Sequence, residues 1–196
     1  MTLKADFFKR DSKIVAEELI GKVLVRKMND GTVLKARITE TECYRGTFDK
    51  ASHAYGGRRT ERNESMYKKP GTIYVYFTYG MYYMLNIVTK EAEYPDAVLI
   101  RGLEPLSDPD VFAQKRFEKD YGELSSYQKK NMLNGPGKLT KALDIDKSFD
   151  GIMLGENLYI EDSDLKDFEV QKTPRIGIDY AKEWKDKLYR FVSKHK

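Results

Sequence analysis

Between Lys22 and Tyr44 the chain commits itself to a β-hairpin. KVLVRKM (22–28) reads as a strand, Asn29-Asp30-Gly31 is a strong hairpin turn, and the return strand runs from about Thr32 to Tyr44. A long strand needs partners, so a sheet has to form around it. With a side-chain period of two, Ile38, Glu40, Glu42 and Tyr44 share one face, and Thr39, Thr41 and Cys43 share the other.

More sheet follows. Thr72 to Thr78 is strongly β-prone, Tyr79-Gly80 reads as a hairpin tip, and Tyr82 to Val88 returns. Ala97 to Leu103 is a further strand, and the C-terminal part reads as strands near 153–161, 167–178 and 187–193. Helices are fewer. Asp11 caps one that runs to about Ile20 and stops at Gly21; Asp108 to about Tyr121 and Ser125 to Asn131 give two more. NGPGKLTKALDI opens a Gly/Pro turn onto a helix carrying Lys138 and Lys141, and free N–H groups at such a helix start suit an anion. The spacing is not that of a Walker A loop. No repeat, low-complexity tract or linker breaks the chain. The expected fold is α+β: a single compact domain, residues 1–196, around a curved, mostly antiparallel β-sheet with flanking helices and a protruding β-hairpin.

Composition narrows the setting. Apolar content of 40% and charged content of 34% are those of a globular protein, and no apolar run approaches a membrane span. The N-terminus has no apolar stretch of signal-peptide type. Cys43 is the only cysteine, so no internal disulfide forms and no cysteine-based zinc site is in view. Net charge is only +4, but GGRRTERNESMYKKPG (56–71) concentrates Arg58, Arg59, Arg62, Lys68 and Lys69. A basic loop of this kind is either a phosphate contact or a solvated surface. Fourteen tyrosines, clustered at Tyr74, Tyr76, Tyr79, Tyr82 and Tyr83, serve equally for base stacking or for strand packing.

For chemistry, Glu42 stands out. Glu40 and Glu42 at neighbouring same-face positions can divide acid and base work, or both can be solvated at a sheet edge; spacing alone leaves both open. His53 is one of two histidines, and His195, beside the C-terminus, is expected to be disordered. HExxH and GxSxG patterns are missing. Hydrolysis by a carboxylate-activated water is the economical enzymatic reading.

ITETECYRGTFDKASHAYGGRRTERNESMYKKPGTIYVYFTYGMYYMLNIV (38–88) resembles the core of the alkyladenine (3-methyladenine) DNA glycosylase family. The similarity continues through LIRGLEP (99–105), NGPGKL (134–139), PRIGID and EW (174–184) and YRF (189–191), covering nearly the whole chain. The resemblance implies an enzyme of base excision repair that flips a damaged purine out of duplex DNA and hydrolyses its glycosidic bond without metal or cofactor. Matched position by position, Glu42 is the catalytic glutamate that deprotonates the water. Arg101 helps hold that water, as would the backbone carbonyl of Ile176. Tyr44, His53 and Tyr76 line the base pocket, Asn86 crowds the 2-amino group of guanine, and Tyr79 wedges into the duplex. Arg58, Arg59, Lys68, Lys69 and Lys138 become phosphate contacts. The implied partner is double-stranded DNA containing damaged purines, the implied state a monomer, and the implied location the cytoplasm: the nucleoid in a bacterium, the nucleus in a eukaryote. Two alternatives remain, a glycosylase/lyase using Lys138 as a Schiff base and a non-catalytic nucleic-acid-binding module. Cys43 stands where the family pattern expects a small apolar residue, and should point away from the pocket. Glu40 lies on the catalytic face without a catalytic counterpart; the expected role is a partner to a nearby basic side chain.

Overall fold

The computed structural model describes residues 1–163 and 168–195. Two short helices open the chain, α1 (Ala5–Phe8) and α2 (Ser12–Glu18). The Asp11 carboxylate accepts from the Lys13 backbone N–H and so caps α2, as the sequence predicts. Strands β1 (Val23–Lys27) and β2 (Val33–Arg45) form the expected hairpin. After an irregular, 3-10-rich stretch come β3 (Ile73–Thr78), β4 (Tyr82–Thr89) and β5 (Asp96–Pro105). Helices α3 (Pro109–Phe117), α4 (Ser126–Lys130) and α5 (Pro136–Ala142) follow, then β6 (Leu158–Glu161), β7 (Phe168–Thr173) and β8 (Arg190–His195).

All strand pairings are antiparallel, in the order β3-β4-β5-β2-β1-β6, with β8 joining β2 to β7. The fold is α+β around a curled sheet, as the sequence predicts. His195, expected to be disordered, ends β8 with its backbone paired to Phe168. Strand β6 begins at Leu158 rather than near 153, because the preceding residues form turns and bends.

One irregularity decides where the site lies. The register of β2 against β5 shifts on both sides of Glu40, a β-bulge. Before the bulge, Leu34, Ala36 and Ile38 fill the main core; after it, Cys43 does, and the buried Thr41 hydroxyl donates to the Ala16 carbonyl. Ile38 therefore does not share a face with Glu42, as strict alternation predicts. The extra residue exchanges the faces, so that Glu40, Glu42 and Tyr44 turn away from the core. The bulge also divides one edge of β2 between two neighbours: β1 pairs with Val33–Arg37 and β8 with Glu40–Glu42. Gly102 makes the bulge possible, since a Cβ there would stand 3.0 Å from Glu40 Cβ.

The main core lies under the sheet against α2, α3 and α5, with Val15, Leu19, Phe112, Leu139 and Phe191 among its fully buried members. A smaller cluster of Ala54, Met66, Tyr67, Tyr74, Val88 and Ala97, flanked by Tyr76, backs the irregular stretch between β2 and β3. No helix among the described residues is long and apolar enough to cross a membrane.

Candidate active site

A cavity of about 280 Å³ opens where β2, β3, β4 and β5 meet the segment after β7. Of the residues marked out in the sequence, Tyr44, His53, Tyr76, Tyr79, Asn86, Arg101 and Ile176 line it. Sites more than a hundred residues apart in the chain converge here, because β2 is the central strand and β8 pulls the C-terminal segment against it.

Glu42 lies just behind this lining, with no solvent exposure. Its carboxylate is held by three groups that do line the cavity. The Ile176 backbone N–H donates to Oε1 at 2.8 Å, the Tyr44 hydroxyl to Oε2 at 2.8 Å, and Arg101 Nη1 to Oε2 at 3.3 Å. Burial pushes the Glu42 carboxyl up, while Arg101, the Ile176 N–H, Tyr44 and Arg175 pull against it. Burial and the neighbouring Glu42 charge push the Tyr44 hydroxyl up, so it stays a donor. Glu40 is not a second free acid. Its Oε1 accepts from Arg101 Nε at 2.9 Å and from Arg190 Nε at 2.6 Å, the basic partnership expected of it.

The opposite wall is aromatic. His53 Nδ1 meets the Tyr74 hydroxyl at 2.8 Å, and the His53 ring stands edge-on to Tyr76 at 4.6 Å between centroids. Burial first, then Arg62 and Arg58, lowers His53 to about 4, so the imidazole is neutral near neutral pH. Asn86 gives its amide hydrogens to the Tyr74 and Met84 carbonyls, which fixes its orientation at the cavity wall. Tyr79 stands at the rim in the β3–β4 turn, 79% exposed, at φ +53° and followed by Gly80 at φ +67°. Two successive left-handed residues make the tight turn that matches strand twist.

Several contributors carried no local signal. Arg175 and Asp49, both with fully buried side chains, form a two-pronged pair at 2.5 and 2.8 Å, and Arg175 Nη1 also donates to the Cys43 carbonyl at 3.0 Å. This clamp seats the segment that supplies the Ile176 N–H. The Arg175 guanidinium also lies 4.7 Å from the Tyr44 ring centroid. Arg62 belongs to the basic stretch, yet it lines the cavity with its guanidinium 5.4 Å from the Tyr76 centroid. Cys43 points into the core, away from the cavity, with its thiol raised by burial.

The basic residues are less uniform than their spacing implies. Arg58, Arg59, Lys68 and Lys69 are exposed. Arg59 is bound to Glu64 and Glu93 and lies over Tyr67, and Lys68 donates to the Gly151 carbonyl. Lys138 donates to Asn131 Oδ1 at 2.7 Å and is not among the cavity-lining residues.

A buried carboxylate is thus fixed by an arginine and a backbone amide directly behind a cavity lined by His53, Tyr74 and Tyr76. Comparison with known proteins gives the family. The family model described as methylpurine-DNA glycosylase matches residues 6–196. Two relatives from Clostridium perfringens, each named "Putative 3-methyladenine DNA glycosylase", are 52% and 53% identical over 99% of this chain and 96% of their own length. One of the same name from Clostridium botulinum is 48% identical with the same coverage. The chain belongs to the methylpurine-DNA glycosylase family.

Proposed function

We propose that this protein is a monofunctional glycosylase that excises a damaged purine from duplex DNA with a water activated by Glu42. The observation that carries the reading is the Glu42 carboxylate, buried directly behind the aromatic pocket and hydrogen-bonded by three groups of its wall. Oε1 accepts only the Ile176 N–H and retains a lone pair that can take a proton from water. Burial makes it a stronger base than a solvated glutamate.

In the proposed step the water oxygen bonds to C1′ of the flipped nucleotide, its proton passes to Glu42, and the C1′–N bond breaks with its electron pair leaving on the base. An abasic site and a free purine result. Glu42 stabilises the positive charge that develops on the sugar. Arg101 and the Ile176 carbonyl orient the water. Alkylation at N3 or N7 makes the base cationic, and cations are favoured beside the faces of Tyr44 and Tyr76. A neutral His53 adds no opposing charge to that wall. Because Asn86 is held by two main-chain carbonyls, it cannot swing away from the 2-amino group of a normal guanine, and discrimination is by clash. The exposed Tyr79 fills the gap left in the duplex. Arg58 and Lys69 meet phosphates directly; Arg59, Lys68 and Lys138, each held by a partner on the protein, reach a phosphate only by giving that partner up. The protein acts as a monomer, at the DNA of the cytoplasm, with residues 1–196 as one domain.

Glu42→Gln tests the reading. Base release from lesion-containing duplex should fall by about 10²–10⁴-fold with lesion-DNA binding retained. Unchanged release would remove Glu42 from the chemistry, and release abolished together with all lesion binding would point to a loss of fold instead.

A further inference from the structure

Arginine and carboxylate usually meet as a two-pronged fork, and Arg175 and Asp49 do so a few residues away. Arg101 and Glu42 do not. Arg101 spends Nε on Glu40 at 2.9 Å and touches Glu42 through Nη1 alone, at 3.3 Å. Glu40 is itself held from behind by Arg190 Nε at 2.6 Å, and Arg190 Nη1 donates in turn to the Thr173 hydroxyl at 3.3 Å. Four groups of alternating charge thus run Glu42, Arg101, Glu40, Arg190, from β2 to β5, back to β2 and out to β8. The bulge at Glu40 and the bare backbone of Gly102 beside it allow the chain of contacts to form.

We propose that Glu40, anchored by Arg190, is a positioning residue that splits the natural fork of Arg101 and so keeps it from closing on both oxygens of Glu42. The inference rests on the reading of Glu42 as the water-activating base. A closed fork would draw a second N–H onto the carboxylate, occupy lone pairs that water needs, and favour the charged form so strongly that the base weakens. Held by Nε, Arg101 lines the cavity with Nη2 bonded to neither glutamate. Glu40 touches no reacting atom in this scheme; it acts only through Arg101.

Two substitutions should move the pH dependence in opposite directions, which a merely structural role would not do. The groups facing Glu42 are Arg101, Tyr44, Arg175 and the Ile176 N–H, with Tyr76 and Tyr180 farther off; those facing Glu40 are Arg101 and Arg190. Glu40→Gln frees Arg101 to fork onto Glu42, so the acid limb of the rate profile moves to lower pH. Arg190→Gln leaves Glu40 with Arg101 as its one charged partner, draws Arg101 off Glu42, and moves the acid limb to higher pH.

The experiment is single-turnover release of 7-methylguanine from duplex DNA across a pH series. That base stays cationic on the acid side of neutrality, so the acid limb reports the enzyme. Both variants should lose about ten- to a hundredfold in rate near neutral pH, with acid limbs displaced on opposite sides of the wild-type limb, and Arg190→Lys should recover both rate and limb. Displacement to the same side, or none, overturns the proposal. Should Glu40→Gln fail to fold by thermal melting, the Arg190→Gln and Arg190→Lys pair decides: a limb that stays in place overturns it. Glu42→Gln, run alongside, separates the two readings. If it remains active the assignment of the base fails, whereas an inactive Glu42→Gln with unmoved limbs elsewhere removes only the role of Glu40.

Discussion

The two walls of the cavity solve the cost of burial in opposite ways. On the carboxylate wall the charges stay and are paired: Glu42 and Glu40 with Arg101, Glu40 with Arg190, Asp49 with Arg175. On the aromatic wall the titratable rings stay neutral: His53 is driven to about 4, and burial raises the Tyr74 and Tyr76 hydroxyls, while the Arg62 guanidinium over Tyr76 keeps its charge. Taking an ion out of water costs several kcal/mol unless it is paired or neutralised. The paired wall can stabilise charge that appears during a reaction, and the neutral wall can accept a ring that already carries one. In the proposed function this difference puts the chemistry on one side and recognition on the other.

Breaking the paired wall should have the larger effect. Asp49→Ala leaves the Arg175 guanidinium buried beside the Cys43 carbonyl and the Tyr44 ring without its carboxylate. Removing one partner of a buried pair costs about 3–5 kcal/mol, readable as a lower urea midpoint. Base release should fall as well, because the segment that presents the Ile176 N–H loses its clamp. A stability loss under about 1 kcal/mol would mean the pair is worth no more than a surface ion pair, and the contrast between the walls would weaken.

How much of this was legible in the sequence follows the range of each interaction. The Asn29-Asp30-Gly31 hairpin, the Asp11 cap and the Tyr79-Gly80 turn are set within a few residues, and each forms as read. The bulge at Glu40 leaves no trace in the residue pattern of β2, so strict alternation puts Ile38 on the wrong face; Glu42 and Tyr44 stay together only because both follow the bulge. The clamp of Asp49 and Arg175, 126 residues apart, and the contact of Glu40 with Arg190, 150 apart, have no spacing to betray them. By pattern alone Glu42 and Glu40 are equivalent; the family resemblance singles out Glu42, and the geometry distinguishes the pair by what each is bonded to.

The neutral wall can be probed by pH. Unfolded, His53 takes up a proton near its ordinary value of 6.5; folded, it does so only near 4. Protonation therefore favours the unfolded chain, so this contribution to stability is complete above the ordinary value and is lost as pH falls from there towards 4. His53→Gln should flatten that part of the stability curve between about pH 7 and pH 4, measured as urea midpoints. Equal pH slopes in variant and parent would show that the imidazole charges freely in the folded protein, and the wall would no longer be neutral by construction.

The smallest effect, and the finest distinction, lies outside the cavity, where pairing and freedom recur on neighbouring residues. Arg59 is committed to Glu64 and Glu93, while Arg58 makes no side-chain hydrogen bond or ion pair among the described residues. A phosphate must compete with two carboxylates for Arg59 but with water alone for Arg58. Each phosphate contact contributes about 0.9 to the slope of log affinity against log salt. Arg58→Ala should therefore lower that slope by about 1, with a few-fold loss of affinity for any duplex, whereas Arg59→Ala should leave it unchanged. Equal reductions in the two variants would mean that the Arg59 pairs open when DNA arrives. The principle that separates the walls would then fail at the surface, where water makes a pair cheap to break.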